Sequence, residues 1–97
     1  MRVLYRERAL ADLDDISRYL SERSPTGARN VLKAIQAAID LVANHPETGR
    51  RTSDPSLRVQ IVGRHRYQIF YSIEPSGIEI LHVRHGSRRR WLSEQSP

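Results

Sequence analysis

The chain has 97 residues, 38% of them hydrophobic and many of those Leu, Ile and Val, which suffices for one compact two-layer domain over residues 1–97 and leaves no room for a second core. It contains no cysteine, no apolar run near the ~18 residues a membrane-spanning helix needs, and no secretory-type leader in Met1–Arg6, so disulfides, thiolate chemistry and membrane insertion are excluded and a reducing cytoplasm is the expected setting. Residues 1–49 carry seven Arg/Lys against seven Asp/Glu, residues 50–97 nine Arg against four Asp/Glu, so the whole net charge of +5 sits in the second half. Such polarity suggests a basic surface facing a polyanion or an acidic partner. A coding bias would explain fifteen Arg against the single Lys33, but not why the acids stay behind in the first half.

Arg2–Tyr5 is short, partly β-branched and aromatic, and reads as a strand. Ala9, Leu13, Ile16 and Leu20 then recur at spacings of four, three and four, one stripe of a helix, with Asp12, Asp14, Asp15 and Arg18 off the stripe and expected in water. Ser24-Pro25 ends this helix and starts another, because proline disfavours helical geometry just before itself and suits a first helical position that Ser24 can cap. Ala28, Val31, Leu32, Ile35, Ala38, Ile39 and Val42 keep a 3.6-residue period until Asn44-His45-Pro46 stops it. Residues 47–56 are loop-like, with a short edge strand at Arg50-Arg51. Leu57, Val59 and Ile61 alternate with Arg58 and Gln60; Tyr67–Ile73 is rich in aromatic and β-branched residues; Ile78–Arg84 follows the turn at Pro75-Ser76-Gly77. The result is an α+β fold: an N-terminal strand and an antiparallel helical hairpin packed on one face of a small antiparallel sheet, with Arg58 and Gln60 on the other face and a loose tail over about 93–97.

The residue types limit the chemistry. His45, His65, His82 and His85 include no i,i+4 helical pair and no accompanying carboxylate cluster, and His82 and His85 fall on opposite sides of a strand, so neither a metal nor a cofactor is expected. Gly27, Gly49, Gly63, Gly77 and Gly86 are isolated and read as turn residues rather than a phosphate cradle, and no G-x-S-x-G nucleophile elbow occurs. Asp12, Asp14 and Asp15 read as a solvated helix face. The richer set is basic: Arg58, Arg64, His65, Arg66, Arg84, His85, Arg88, Arg89 and Arg90, with Tyr67, Tyr71 and Trp91 interleaved. Guanidinium groups fit phosphates and aromatics stack on bases, so this set suits a nucleic acid; equally, Tyr67 and Tyr71 can pack in the core and the arginines can solvate a surface.

In order and spacing these residues resemble the ParE/RelE superfamily of type II toxins. The resemblance rests on Ala9-x-x-Asp12-Leu13-x-x-Ile16-x-x-Tyr19-Leu20, Ser24-Pro25-x-x-Ala28, Ile35 through Leu41, Pro46-x-x-Gly49-Arg50, Leu57-Arg58, Tyr67-Gln68-Ile69-Phe70-Tyr71 and Ile80-Leu81-His82-Val83-Arg84-His85-Gly86. It implies one of two activities on one scaffold. RelE-like members are ribosome-dependent mRNA endonucleases that need no metal; ParE-like members poison DNA gyrase by protein contact. Gln68 stands where the ribonucleases typically carry Arg, Trp91 where they place a late Tyr, and mid-sheet lysines are missing, which favours the ParE-like subgroup. The residues expected to meet the target are Arg58, Arg64, Arg84, Arg88, Arg89, Arg90 and Trp91; a ribonuclease would instead use Arg58, His85 and Arg88. A basic nucleic-acid-binding module without toxicity is the third reading.

The resemblance also implies a cognate antitoxin, ParD-like, whose acidic segment wraps the toxin in a hetero-oligomer. The apolar hairpin flanks Leu10, Ala28 and Leu32, beside the basic sheet-edge residues Arg2 and Arg6, are the surface expected to receive it.

Overall fold

The two stretches of 3.6-residue apolar period become helices α1 (Glu7–Arg23) and α2 (Pro25–Asn44) in the computed structural model, which describes residues 1–86. Ser24 alone separates them. Its extended backbone (φ −162°) returns an N–H to the Leu20 carbonyl at 2.8 Å, while its hydroxyl accepts the Gly27 N–H at 3.0 Å. That closes one helix and caps the next, and Pro25 takes the first position, where no N–H is needed. Gly27 therefore lies inside the first turn of α2 and not in a turn between elements.

Five strands form one sheet: β1 (Val3–Tyr5), β2 (Arg50–Arg51), β3 (Arg58–Val62), β4 (Tyr67–Glu74) and β5 (Gly77–His85), in the order β1-β5-β4-β3-β2. The meander β2–β5 is antiparallel, as the short connections require. The N-terminal strand completes the sheet at its other edge: β1 joins parallel to β5, with Val3 opposite Ile78 and Tyr5 opposite Ile80. Gly77 makes that pairing possible. It adopts φ +145°, which side-chain-bearing residues rarely adopt, and a Cβ there would run into the Arg2 carbonyl that accepts the Ile78 N–H at 2.8 Å.

Pairing register decides which residues face the helices. Directly opposed residues share a face and neighbours alternate. Ile69, Tyr71, Ile78, Ile80 and Val83 meet Ala9, Ile35, Ala38, Ile39 and Val42 in the core. Arg58 is opposite Tyr71 and Gln60 opposite Ile69, so both lie on the helix-covered side, a correction to the expected outward placement. The opposite face presents Val59, Ile61, Gln68 and Phe70. A register shift puts Phe70 opposite His82 but Tyr71 opposite Ile80, leaving Leu81 as the extra residue of a bulge. Beyond it, His82 and Arg84 share the outer face while His85 faces the helix side.

Tyr71 knots the loop after α2 to the sheet. Its ring is fully buried, its hydroxyl donates to the Pro46 carbonyl at 2.5 Å and accepts the Gly49 N–H at 3.0 Å. Arg58 adds a hydrogen bond from Nη1 to the Gly49 carbonyl at 2.8 Å. Gly49 itself has ordinary extended backbone (φ −71°); it is glycine because a Cβ would stand 2.5 Å from the Tyr71 hydroxyl. Tyr71→Phe strands the buried Gly49 N–H and the Pro46 carbonyl, and should cost about 1–3 kcal/mol. In thermal unfolding that is roughly 4–8 °C per kcal/mol for a domain of this size. Gly49→Ala should lower the midpoint as well, by forcing ring and loop apart.

Candidate functional site

The structure sorts the expected target-binding arginines into two ends of the sheet. Arg64 is exposed on the short turn Gly63–His65 between β3 and β4, and Arg66, also exposed, follows in left-handed backbone (φ +60°). Arg84 is opposite Gln68 on β5, and the Gly86 N–H donates to the Arg66 carbonyl, so Arg64, Arg66 and Arg84 gather where the described chain ends. Arg88, Arg89, Arg90 and Trp91 lie outside the described residues. Arg58 is at the other end. Opposite Tyr71 on β3, it is four positions and two strands from His85, opposite Tyr67. At about 3.3 Å per residue and 4.8 Å per strand, their Cα atoms are roughly 16 Å apart. Arg58 and His85 therefore do not converge, and the Arg58 guanidinium is engaged with loop carbonyls. Tyr67 and Tyr71 are core residues, with the His85 ring edge-on to Tyr67 at 4.9 Å.

Sequence reasoning missed the most organised polar cluster. Asp12 does not face water: its side chain is only 12% exposed and lies along the edge of β5. β1 stops at Tyr5, where the Arg6 N–H reaches the Ile80 carbonyl at 3.0 Å, and β5 runs on to His85 with no strand among the described residues on the side away from β4. The Asp12 carboxylate takes the missing strand's place. Its Oδ2 accepts the Val83 N–H at 2.9 Å and contacts His82 Nδ1 at 2.5 Å, while Arg8 Nε reaches Oδ1 at 3.3 Å. Both Asp12 and His82 stood in the stretches that carried the resemblance; nothing in the helical periodicity distinguished Asp12 from Asp14 or Asp15.

His82 is buried, and burial pushes its pKa below the ordinary value, helped by the charges of Arg8 and Arg84 and opposed by the hydrogen bond and charge of Asp12. A neutral imidazole has one N–H and one lone pair. With Nδ1–H given to Asp12, Nε2 is the acceptor facing Arg84 Nη1 at 3.4 Å. Beside this chain lies a cleft of about 360 Å³ lined by Arg8, Asp12, Asp15, Tyr67, Arg84 and His85, among others. Two arginines and a histidine line it, but two carboxylates share it, so its formal charge balances and a phosphodiester gains no net attraction there. Among the described residues, no group of three or more His, Asp and Glu is placed to hold a metal.

The expected antitoxin residues fare unevenly. Leu10 is 53% exposed, Leu32 is half-buried, Arg2 is exposed, and Arg6 pairs with Glu79 at 3.1 Å on the sheet edge. Ala28 is 3% exposed and packed inside the fold, so it cannot present itself to a partner; its stripe turned further inward than the spacing suggested.

Asp12→Ala should lower stability by about 1–3 kcal/mol, since it leaves a strand-edge N–H and an imidazole N–H unpaired. Asp14→Ala and Asp15→Ala, whose side chains pair with Arg18 at 69% and 71% exposure, should stay within about 0.5 kcal/mol of the parent in the same melts. The His82 shift fixes a pH dependence as well. Its folded value lies below the ordinary 6.5, so the unfolded chain binds the proton first and stability falls as pH descends through and below 6.5. Denaturant midpoints should show this fall between about pH 7.5 and pH 5, with a shallower slope in His82→Asn.

Similar proteins then fix the family. The model of the ParE toxin of the type II toxin–antitoxin system parDE matches residues 3–90. Toxin RelE3 of Caulobacter vibrioides is 31% identical over 84 residues, covering 86% of this chain and 91% of its own. The solved chromosomal ParDE system of P. aeruginosa contains a chain of the same fold (TM-score 0.75, 22% identity, covering 88% of this chain and 95% of that one). The isolated E. coli RelE toxin shares it more loosely (TM-score 0.60, 16% identity, 96% and 92% covered). The hairpin-on-sheet architecture and these matches make this chain a member of the ParE toxin family, the toxin component of a type II toxin–antitoxin system in the ParE/RelE superfamily.

Proposed function

We propose that this toxin acts on DNA gyrase by protein contact, using the basic end of the sheet. Arg64 and Arg84 form its described part; Arg88–Arg90 and Trp91, which lie outside the described residues, follow β5 in the sequence. The observation that carries this reading is the separation of Arg58 from His85: the residues a ribonuclease would combine stand at opposite corners, and the Arg58 guanidinium serves the loop at Gly49. Gln68, neutral and with Oε1 buried without a partner among the described residues, supplies no charge against a phosphate. What remains suits a docking surface, because the exposed Arg64 and half-buried Arg84 give electrostatic complementarity and need no proton transfer. Arg58 contributes to it through the loop it braces.

A cognate antitoxin neutralises the toxin in a hetero-oligomer. Its acidic segment would lie over Leu10 and Leu32 and against Arg2 and Arg6, where exposed apolar surface adjoins positive charge. The reading as an mRNA interferase keeps two observations in its favour: Arg8, Arg84 and His85 share a cleft, and a relative in Caulobacter vibrioides bears the name RelE3.

The deciding experiment adds purified toxin to a gyrase supercoiling reaction and, in parallel, maps message ends in cells expressing it. Inhibited supercoiling with intact messages is the expected result. Arg64→Ala and Arg84→Ala should each weaken inhibition roughly tenfold, the worth of one charge-assisted contact. Undisturbed supercoiling accompanied by cut messages would replace this reading with the interferase one.

A further inference from the structure

We infer that Asp12, acting through His82, is the positioning residue that aims the Arg84 guanidinium on the target-binding surface. This rests on the reading of Arg84 as a target contact, but its geometry is independent of the target's identity.

Capping the open edge of β5 requires only the bond between the Asp12 carboxylate and the Val83 N–H. The same Oδ2 also holds the His82 Nδ1, and that second bond selects a tautomer. With the proton on Nδ1, Nε2 carries a lone pair directed at Arg84 Nη1, which can only donate. His82 and Arg84 are two residues apart on one face of β5, so the imidazole lies between helix carboxylate and surface guanidinium. The Phe70 ring on β4, its centroid 6.2 Å from that of His82, limits the room for the imidazole to turn. Among the described residues, charged and titratable groups facing His82 include Asp12 and Arg8 from α1 and Arg84 from its own strand. Protonation turns Nε2 into a donor facing a donor and places two cations side by side, which ends the imidazole's hold on Arg84. The aim therefore persists down through the ordinary histidine range and is lost only in more acid solution.

Two variants separate positioning from folding. His82→Asn keeps an amide N–H for Asp12 but has no acceptor that reaches Arg84; Asp12→Ala removes the one oxygen that serves both Val83 and His82, and with it the group that fixes the tautomer. Long-range nitrogen–proton correlation spectra of the intact toxin should show His82 as the Nδ1–H tautomer at neutral pH. Its Nε2 resonance should shift in Arg84→Ala, and the ring should move toward the Nε2–H form in Asp12→Ala. In the gyrase assay, His82→Asn should lose roughly tenfold in inhibition while still melting cooperatively. Adding Arg84→Ala to it should cost little more, and the control Asp14→Asn should behave as the parent. An Nε2–H tautomer in the parent toxin, or a His82 resonance indifferent to Arg84→Ala, overturns the inference whatever the target. A parent toxin that leaves gyrase untouched, with the expected tautomer and coupling present, overturns only the gyrase reading and leaves Asp12 and His82 as the pair that aims Arg84.

Discussion

One carboxylate ties the two layers of this toxin together. Asp12 leaves α1 at a position that periodicity assigns to solvent, yet it ends against β5 because β1 is only three residues long. Where the parallel partner runs out, a strand edge would otherwise display an unpaired N–H. The side-chain oxygen supplies what a neighbouring backbone carbonyl would have given, and it does so from the helix layer. Helix placement and strand-edge satisfaction are thus one constraint, and His82, Val83 and Arg8 are arranged around it.

A second constraint acts at the far end of the sheet. The Tyr71 hydroxyl, the missing Cβ of Gly49 and the Arg58 guanidinium hold the loop after α2 against the buried face. The two polar clusters occupy opposite ends of one sheet, and they divide the arginines between them. Arg58 is spent on architecture, whereas Arg64, Arg66 and Arg84 crowd the end at which the last strand leaves the sheet. Family membership alone supplies no such division, because one scaffold can carry more than one activity.

Much of the architecture was legible from the residues. Ala9, Leu13 and Ile16, and then Ile35, Ala38, Ile39 and Val42, announced both helices, and the Ser24-Pro25 junction fell where cap chemistry put it. The β-branched and aromatic runs gave the meander, and even Arg50-Arg51 forms its short edge strand. What escaped depended on contacts distant in sequence. Arg58 and Gln60 alternate properly, but which side they face is set by their pairing with Tyr71 and Ile69, and the bulge at Leu81 resets parity in β5. Asp12 meets a strand some seventy residues later. Gly49 and Gly27 were read as turn formers, although one makes room for a ring and the other belongs to a helix. Local pattern carries local structure; side-chain partners across layers are a tertiary fact.

The parallel pairing of β1 with β5 has a bearing on how the molecule comes into being. Val3 finds Ile78, so β1 has no neighbour in the sheet until β5 has been made. Closing such a long loop carries an entropic toll that the local hairpins do not face, and places this step late. The helical hairpin and the meander can form while synthesis continues, but the edge that Arg2, Gly77 and Asp12 complete cannot. The sheet is accordingly unfinished until residues 77–85 have been made, and a chain stopped short of them lacks the β5 edge on which Val3, Arg6 and Asp12 converge.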